Sequence, residues 1–418
     1  MKNLIFIALL TAASTTFQPA FGQSEGLLYG TITTYDNESF EGTIRWGKEE
    51  VFWTDIFNAS KTENPNLRYL SAEQKEKLHS NTLSGYVDGP TVSTMRFLGF
   101  HSHAACGFSN DYTHQFSCRF GDIKKIKTRK GNQVEITMQN GAELDLNGSG
   151  FNDIGEEIQL FDKEIGALEI KWNRIAKIEF QKNPGKIPSG LGQPLYGTVE
   201  TREAKFTGLI AWDKEERLGS DKLDGYTEDG KVAVDFEKIA SIEKKTGKSL
   251  VKLKSGRELE IQGSNDVNGS NRGITVTLAN GVAVTVPWRE FSKLRLESIP
   301  SGFIPPYQNF AVQEPLKATV KTKEKSFSGK LVFDLDESFD FEHLQGESDE
   351  LEYDIPFSTI RSITPISTKS AEVVLKNGEK LVLKGSQDVG PKNHGLLVFP
   401  ESGRPDFVLW EELETIKF

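Results

Sequence analysis

Short runs in which apolar and polar residues alternate recur along the chain. Val251-Lys252-Leu253-Lys254 alternates cleanly, and Val373 to Lys376 follows the same rhythm. A period of two places one set of side chains on one face of an extended strand. Ile274-Thr275-Val276-Thr277-Leu278 and Val282-Ala283-Val284-Thr285-Val286 are β-branched runs around Asn280-Gly281, which predicts a tight hairpin. Lys254-Ser255-Gly256 and Lys376-Asn377-Gly378 predict turns of the same kind. The chain reads as all-β.

The pattern also repeats on a larger scale, as in proteins built from stacked copies. Three segments open alike: Tyr29-Gly30-Thr31-Ile32 leads to Phe40-Glu41-Gly42 and Trp46, Tyr196-Gly197-Thr198-Val199 to Phe206-Thr207-Gly208 and Trp212, and Lys317-Ala318-Thr319-Val320 to Phe327-Ser328-Gly329 and Phe333. Later in each copy a Gly-Ser pair precedes Asp153-Ile154, Asp266-Val267 or Asp388-Val389. Each copy closes on a tryptophan, Trp172, Trp288 or Trp410, followed by apolar residues at +3, +6 and +8. That spacing predicts one helical turn and then a short strand. A weaker version starts at Phe120, Phe236 and Phe357, so each copy reads as two related halves. The predicted units are 23–182, 193–298 and 313–418, with proline-rich joints at 183–190 and 299–306. Short strands, tight hairpins and a single turn before the last strand resemble SH3-like or Sm-like small β-barrels. The resemblance implies two packed barrels per unit, and open β-sandwiches are the alternative. It concerns fold and implies no activity.

The first unit is interrupted. Trp212 and Phe236 are 24 positions apart, whereas Trp46 and Phe120 are 74 apart, which predicts an insertion over about 62–117. Ser71-Ala72-Glu73-Gln74 within it matches a capping box at the start of a short helix. The insertion and the residue just after it hold His101, His103, Cys106, His114 and Cys118. Three readings compete, the plainest being two free thiols. Cys106 and Cys118 flank turn-forming residues and form a disulfide in an exported chain. Alternatively, imidazoles and thiolates converge on a zinc- or copper-type metal, as a carrier or a metal-dependent enzyme. Oxidation and ligation of the same thiols exclude each other.

Of the six tryptophans, Trp53 has no counterpart in the other copies. Phe52-Trp53 is therefore the candidate exposed anchor for a ligand, and the basis of a carbohydrate-binding alternative. Trp46, Trp212 and the three closing tryptophans read as core. Asn265, Asp266, Asn268 and Asn271 offer oxygens for calcium, but Asx turns explain the three repeated aspartates more simply. No esterase elbow, zinc-protease helix or phosphate loop is present.

Residues 1–22 change the cellular context. A Lys2 start, an uncharged apolar run from Leu4 to Ala13 and Ala20-Phe21-Gly22 predict a secretory signal peptide cleaved before Gln23. The run is too short to span a bilayer, and no later stretch is apolar enough. The net charge of −10 over 418 residues disfavours a nucleic-acid partner. The expected protein is periplasmic or secreted, without a cofactor. It is a non-enzymatic binding or scaffold protein whose repeated loops, chiefly the insertion, meet a protein or glycan of the envelope or exterior.

Overall fold

A computed structural model describes residues 24–61, 64–75, 114–151, 153–185, 191–386 and 388–418. The predicted signal peptide, His101, His103 and Cys106 lie outside them. The described chain is all-β, with antiparallel sheets. No helix in it is long and apolar enough to cross a membrane.

The first third contributes β1 (Tyr29–Thr34), β2 (Ser39–Trp46), β3 (Ile56–Lys61), β4 (His114–Arg119), β5 (Ile123–Thr128), β6 (Gln133–Met138), β7 (Glu143–Asn147), β8 (Ile158–Asp162), β9 (Gly166–Ile170) and β10 (Ile175–Phe180). The second contributes β11 (Tyr196–Glu200), β12 (Lys205–Ala211), β13 (Lys222–Thr227), β14 (Gly230–Asp235), β15 (Ile239–Lys245), β16 (Lys248–Leu253), β17 (Glu258–Ile261), β18 (Ile274–Thr277), β19 (Ala283–Val286) and β20 (Lys293–Leu296). The third contributes β21 (Lys317–Thr322), β22 (Ser326–Val332), β23 (His343–Ser348), β24 (Leu351–Pro356), β25 (Ile360–Ser367), β26 (Ser370–Leu375), β27 (Lys380–Lys384), β28 (Leu396–Phe399), β29 (Asp406–Val408) and β30 (Leu413–Lys417).

Pairing in the first third runs β4-β3-β7-β6-β5-β10-β1-β2-β8-β9. In the third it runs β24-β23-β27-β26-β25-β30-β21-β22-β28-β29. The second follows the corresponding order, with β13–β14 joined to β17 through a single Tyr226–Gln262 bridge. None of these sheets closes into a barrel, so the small-barrel expectation gives way to open antiparallel sheets. The predicted hairpins at Asn280-Gly281, Ser255-Gly256 and Asn377-Gly378 all form. Single helical turns begin at Phe120, Trp172, Phe236, Phe357 and Trp410, as the +3 spacing predicts, whereas at Trp288 the same spacing gives only a hydrogen-bonded turn in which the N–H groups of Glu290 and Phe291 donate to the Pro287 carbonyl.

The repeated Phe-x-Gly has a steric cause. A Cβ on Gly42, Gly208 or Gly329 would lie 2.3, 2.1 or 2.0 Å from the carbonyl oxygen of Phe161, Thr277 or Phe399 on the paired strand. The two backbones approach too closely for a side chain. Gly208→Ala is accordingly expected to destabilise the fold by about 1–3 kcal/mol. Urea unfolding measures this, and an unshifted midpoint would contradict the steric account.

All three thirds touch one another. The outer strand β19 pairs with β24, joining the second and third through backbone hydrogen bonds and a shared apolar core. The first and second meet through Leu27, Val51, Phe52, Leu191, Leu209 and Leu218. The segment between second and third crosses the first: Ile304 joins that apolar contact, and Tyr307 and Phe310 enter the first third's core. Tyr307 donates to the Ile123 carbonyl at 2.8 Å. The Phe310 ring fills the space over Gly121, under the Arg119 guanidinium. This segment, whose prolines mark a joint between units, is part of the packing.

Candidate functional site

Each third is held together by an aromatic residue and an aspartate. Trp46, Trp212 and Phe333, at the ends of or just beyond β2, β12 and β22, are fully buried. The indole N–H groups of Trp46 and Trp212 donate to the backbone carbonyls of Asp153 (2.7 Å) and Asp266 (3.0 Å). The carboxylates of Asp153, Asp266 and Asp388 do not fold back in Asx turns. They accept from the backbone N–H of Asn58 (2.5 Å), Asp224 (2.6 Å) and Gln345 (2.5 Å) in β3, β13 and β23. A buried acid needs donors, and here they come from a distant strand, tying the two halves of each third.

A glutamate stands near each aspartate. Glu50, Glu216 and Glu337 bridge back to Trp46, Trp212 and Phe333. Burial pushes Glu50 and Glu337 well above the ordinary carboxylate range, with repulsion from Asp153 and Asp336 adding to it. Burial likewise brings Asp153 and Asp388 to about 7. Glu216 is pushed to about 9 by burial, then by Asp266, Glu215 and Asp213. Its Oε2 has no hydrogen-bond partner among the described residues, and the nearby Arg272 pairs instead with Glu215 (2.8 Å) and Asp213 (3.7 Å). An acid whose pKa is raised by folding stabilises the fold while protonated, and that stabilisation is lost as pH rises through the folded value. Glu216→Gln is therefore expected to flatten the decline in stability between about pH 5 and 9, and to exceed wild type at pH 9 by about 1–2 kcal/mol. Urea titrations at several pH values test this; parallel profiles would refute it.

Between the first and second thirds the ion pairs are reciprocal. Asp55 accepts from the N–H groups of Val51 and Phe52 and from Arg217 of the second third at 3.0 Å. Asp221 accepts from the N–H groups of Arg217 and Leu218 and from Arg45 of the first at 2.7 Å. Between first and third the corresponding acid is Glu342. It accepts from Ser338 and Phe339 N–H, and from Lys61 Nζ at 2.7 Å.

The joint between first and third holds the cluster with the richest ligand chemistry. His114 opens β4, directly across from Lys61 in the β3–β4 register. Asp334 sits just beyond β22 with φ 47°, the left-handed turn taken by Gly47 (56°) and Asp213 (50°) in the other thirds. His394 precedes β28, and its backbone N–H donates to the Asp334 carboxylate. One ligand atom from each of His114, Asp334 and His394 lies within 4.8 Å of the other two. Asp336 approaches through Oδ2, 3.9 Å from His114 Nδ1, while its Oδ1 pairs with Lys61 at 3.0 Å. Burial lowers both His114 and His394 to about 4, helped by Lys61 for the first and by His114 for the second.

Of the metal-type residues named from sequence, the structure thus places His114 in a cluster, but with partners from the third unit. Cys118 is a fully buried β4 residue in the core, its thiol pushed up by burial. The Cys106–Cys118 pairing and the parts assigned to His101, His103 and Cys106 involve residues outside those described. Phe52 and Trp53 are not exposed: both are buried, and Tyr307 covers the Trp53 ring at 4.4 Å. An indole so covered offers no face to a sugar. Trp53 lacks a counterpart because only the first third receives the crossing segment. The acidic stretch Asp334-Leu335-Asp336-Glu337 reads from sequence as a solvated face, but all three acids are buried; His394 escaped notice, although Asn393-His394-Gly395 corresponds to Asn271-Arg272-Gly273, and both loops bond a left-handed aspartate.

Comparison with known proteins gives no match: no family model, curated protein or solved structure is significantly similar to the chain.

Proposed function

We propose that the chain is an exported, non-enzymatic binding scaffold made of three copies of one ten-strand unit. The recurrence of one strand order in the three thirds carries this reading. The equivalent aromatic, glycine and aspartate positions support it, as does the mutual contact of all three. Within each unit the two halves are related copies of one smaller module. Residues 1–22 act as the export signal, and the partner is a protein or glycan of the envelope or exterior.

The contact surface is centred on the first unit's extra residues. Fifty-two residues separate Lys61 from His114, whereas two separate β13 from β14 and two separate β23 from β24. The described start of this segment lies on the third unit. Leu67 and Leu70 pack with Val332, Leu335 and Leu397, and Asn66 donates to the Leu335 carbonyl at 3.0 Å. Ser71 and Gln74 exchange the hydrogen bonds of the expected capping box. The same reading pairs Cys106 with Cys118, which mass spectrometry with and without reductant reads directly.

The test is affinity capture and crosslinking from envelope extract with the full chain and with a chain whose residues 76–113 are replaced by a short Gly-Ser turn. One partner retained only by the full chain supports the reading. Equal capture by both chains would reject the insertion as the contact. Hydrolytic turnover abolished by His114→Ala would reject the non-enzymatic reading.

A further inference from the structure

We infer that His114, Asp334 and His394, with Asp336, form a binding site for a divalent first-row transition metal, zinc being the best match, that clamps the first third to the third. Two imidazoles and carboxylate oxygens are the donor set such ions take. The set is assembled from distant parts of the chain. One ligand comes from β4 of the first third; the others come from the turn after β22 and the loop before β28.

Two independent observations point to a cation. The first is Asp336, whose side chain is 4% exposed. Its Oδ2 is buried with no hydrogen-bond partner among the described residues, and it faces His114. Lys61 reaches only the other oxygen, so it does not complete that carboxylate. The second comes from the corresponding place in the second third. There Asp213 is matched by the Arg272 guanidinium, which supplies a fixed positive charge. In the third, an imidazole stands where the guanidinium would be. Lys61 is shared there between Asp336 and Glu342. A bound divalent ion would bring positive charge to the place that Arg272 takes in the second third.

The geometry requires only a small adjustment. A tetrahedral zinc with bonds near 2.0–2.1 Å sets its donors about 3.3 Å apart. His394 Nδ1 and Asp334 Oδ1 are already 3.5 Å apart, and no pair among the three ligand atoms exceeds 4.8 Å. The His394 side chain is 15% exposed.

The experiment uses the full chain, purified without a polyhistidine tag, stripped with chelator and titrated with zinc chloride. Calorimetry and native mass spectrometry are expected to show one zinc per chain, with a higher melting temperature by mass action. His394→Ala should weaken binding at least about 100-fold, and Asp334→Asn, which preserves shape, should do the same if the first variant folds poorly. A variant carrying His101→Ala, His103→Ala and Cys106→Ser should bind as wild type. Cobalt(II) in place of zinc should give the visible absorption of a low-coordinate nitrogen–oxygen site. Absence of stoichiometric zinc in the wild-type chain would overturn the inference. So would retention of zinc by folded His394→Ala and Asp334→Asn variants.

Discussion

Replacing Arg217 with methionine is expected to destabilise the protein by about 3–5 kcal/mol. The guanidinium reaches Asp55 at 3.0 Å, Glu50 at 3.4 Å and the Lys214 carbonyl at 3.3 Å, from a side chain only 13% exposed. Methionine fills much of the volume, so the loss measures charge rather than cavity. Asp55 then remains buried, bonded to two backbone N–H groups but without its cation, and Glu50 loses the one charge opposing its repulsion from Asp153. Leaving a buried charge alone costs more than the intact pair contributes. Combining Arg217→Met with Asp55→Asn should therefore recover a substantial part of the loss, on the order of 1–3 kcal/mol of coupling. Urea unfolding of the four chains of this cycle gives the numbers. A single-variant loss below about 1 kcal/mol would show that water reaches these carboxylates and that the contact between first and second thirds is held by its apolar residues alone.

Trp46→Ala is expected to cost about 3–5 kcal/mol. The indole is fully buried, with the rings of Phe120, Trp172, Phe57 and Phe180 at 5.1, 5.8, 6.1 and 6.4 Å. Its removal opens a cavity and leaves the Asp153 carbonyl without its indole donor. Trp46→Phe separates the two effects, because it keeps most of the packing and deletes the hydrogen bond. It should cost about 1–3 kcal/mol. Trp212→Phe should cost less, since Asn271 Nδ2 also reaches the Asp266 carbonyl at 3.4 Å. In the third part Phe333 fills the matching position, and Asn393 Nδ2 donates to the Asp388 carbonyl at 2.9 Å. Equal losses for the two tryptophan-to-phenylalanine variants would refute this division of labour.

The contrast between Trp46 and Trp53 explains how far the sequence could be read. Trp46 is one of three equivalent aromatics, and its burial follows from local strand pattern and repetition. Trp53 is buried by Tyr307, some 250 residues away. Nothing near Trp53 in the sequence records that cover. The hairpins and single helical turns were legible for the same reason as Trp46: period, glycine and Asn-Gly act within a few residues. The repeated aspartates were visible, but their bonds were not, because Asn58, Asp224 and Gln345 lie 95, 42 and 43 positions from them. The histidine cluster was half legible. His114 stood out among the neighbouring histidines and cysteines, whereas His394 sits alone in its stretch. Only aligning its loop with that of Arg272 shows that a cationic position has become an imidazole.

The crossing of the first third by Ile304, Tyr307 and Phe310 bears on the order in which the chain can finish folding. A ribosome delivers the first third well before these residues exist. Until they arrive, Trp53 lacks the Tyr307 ring that covers it and the space over Gly121 has no ring in it. The portion made first is thus among the last to be completed. A fragment ending near residue 182 is expected to be a core with an open seam, and the thirds, alike as they are in strand order, are not interchangeable along the chain.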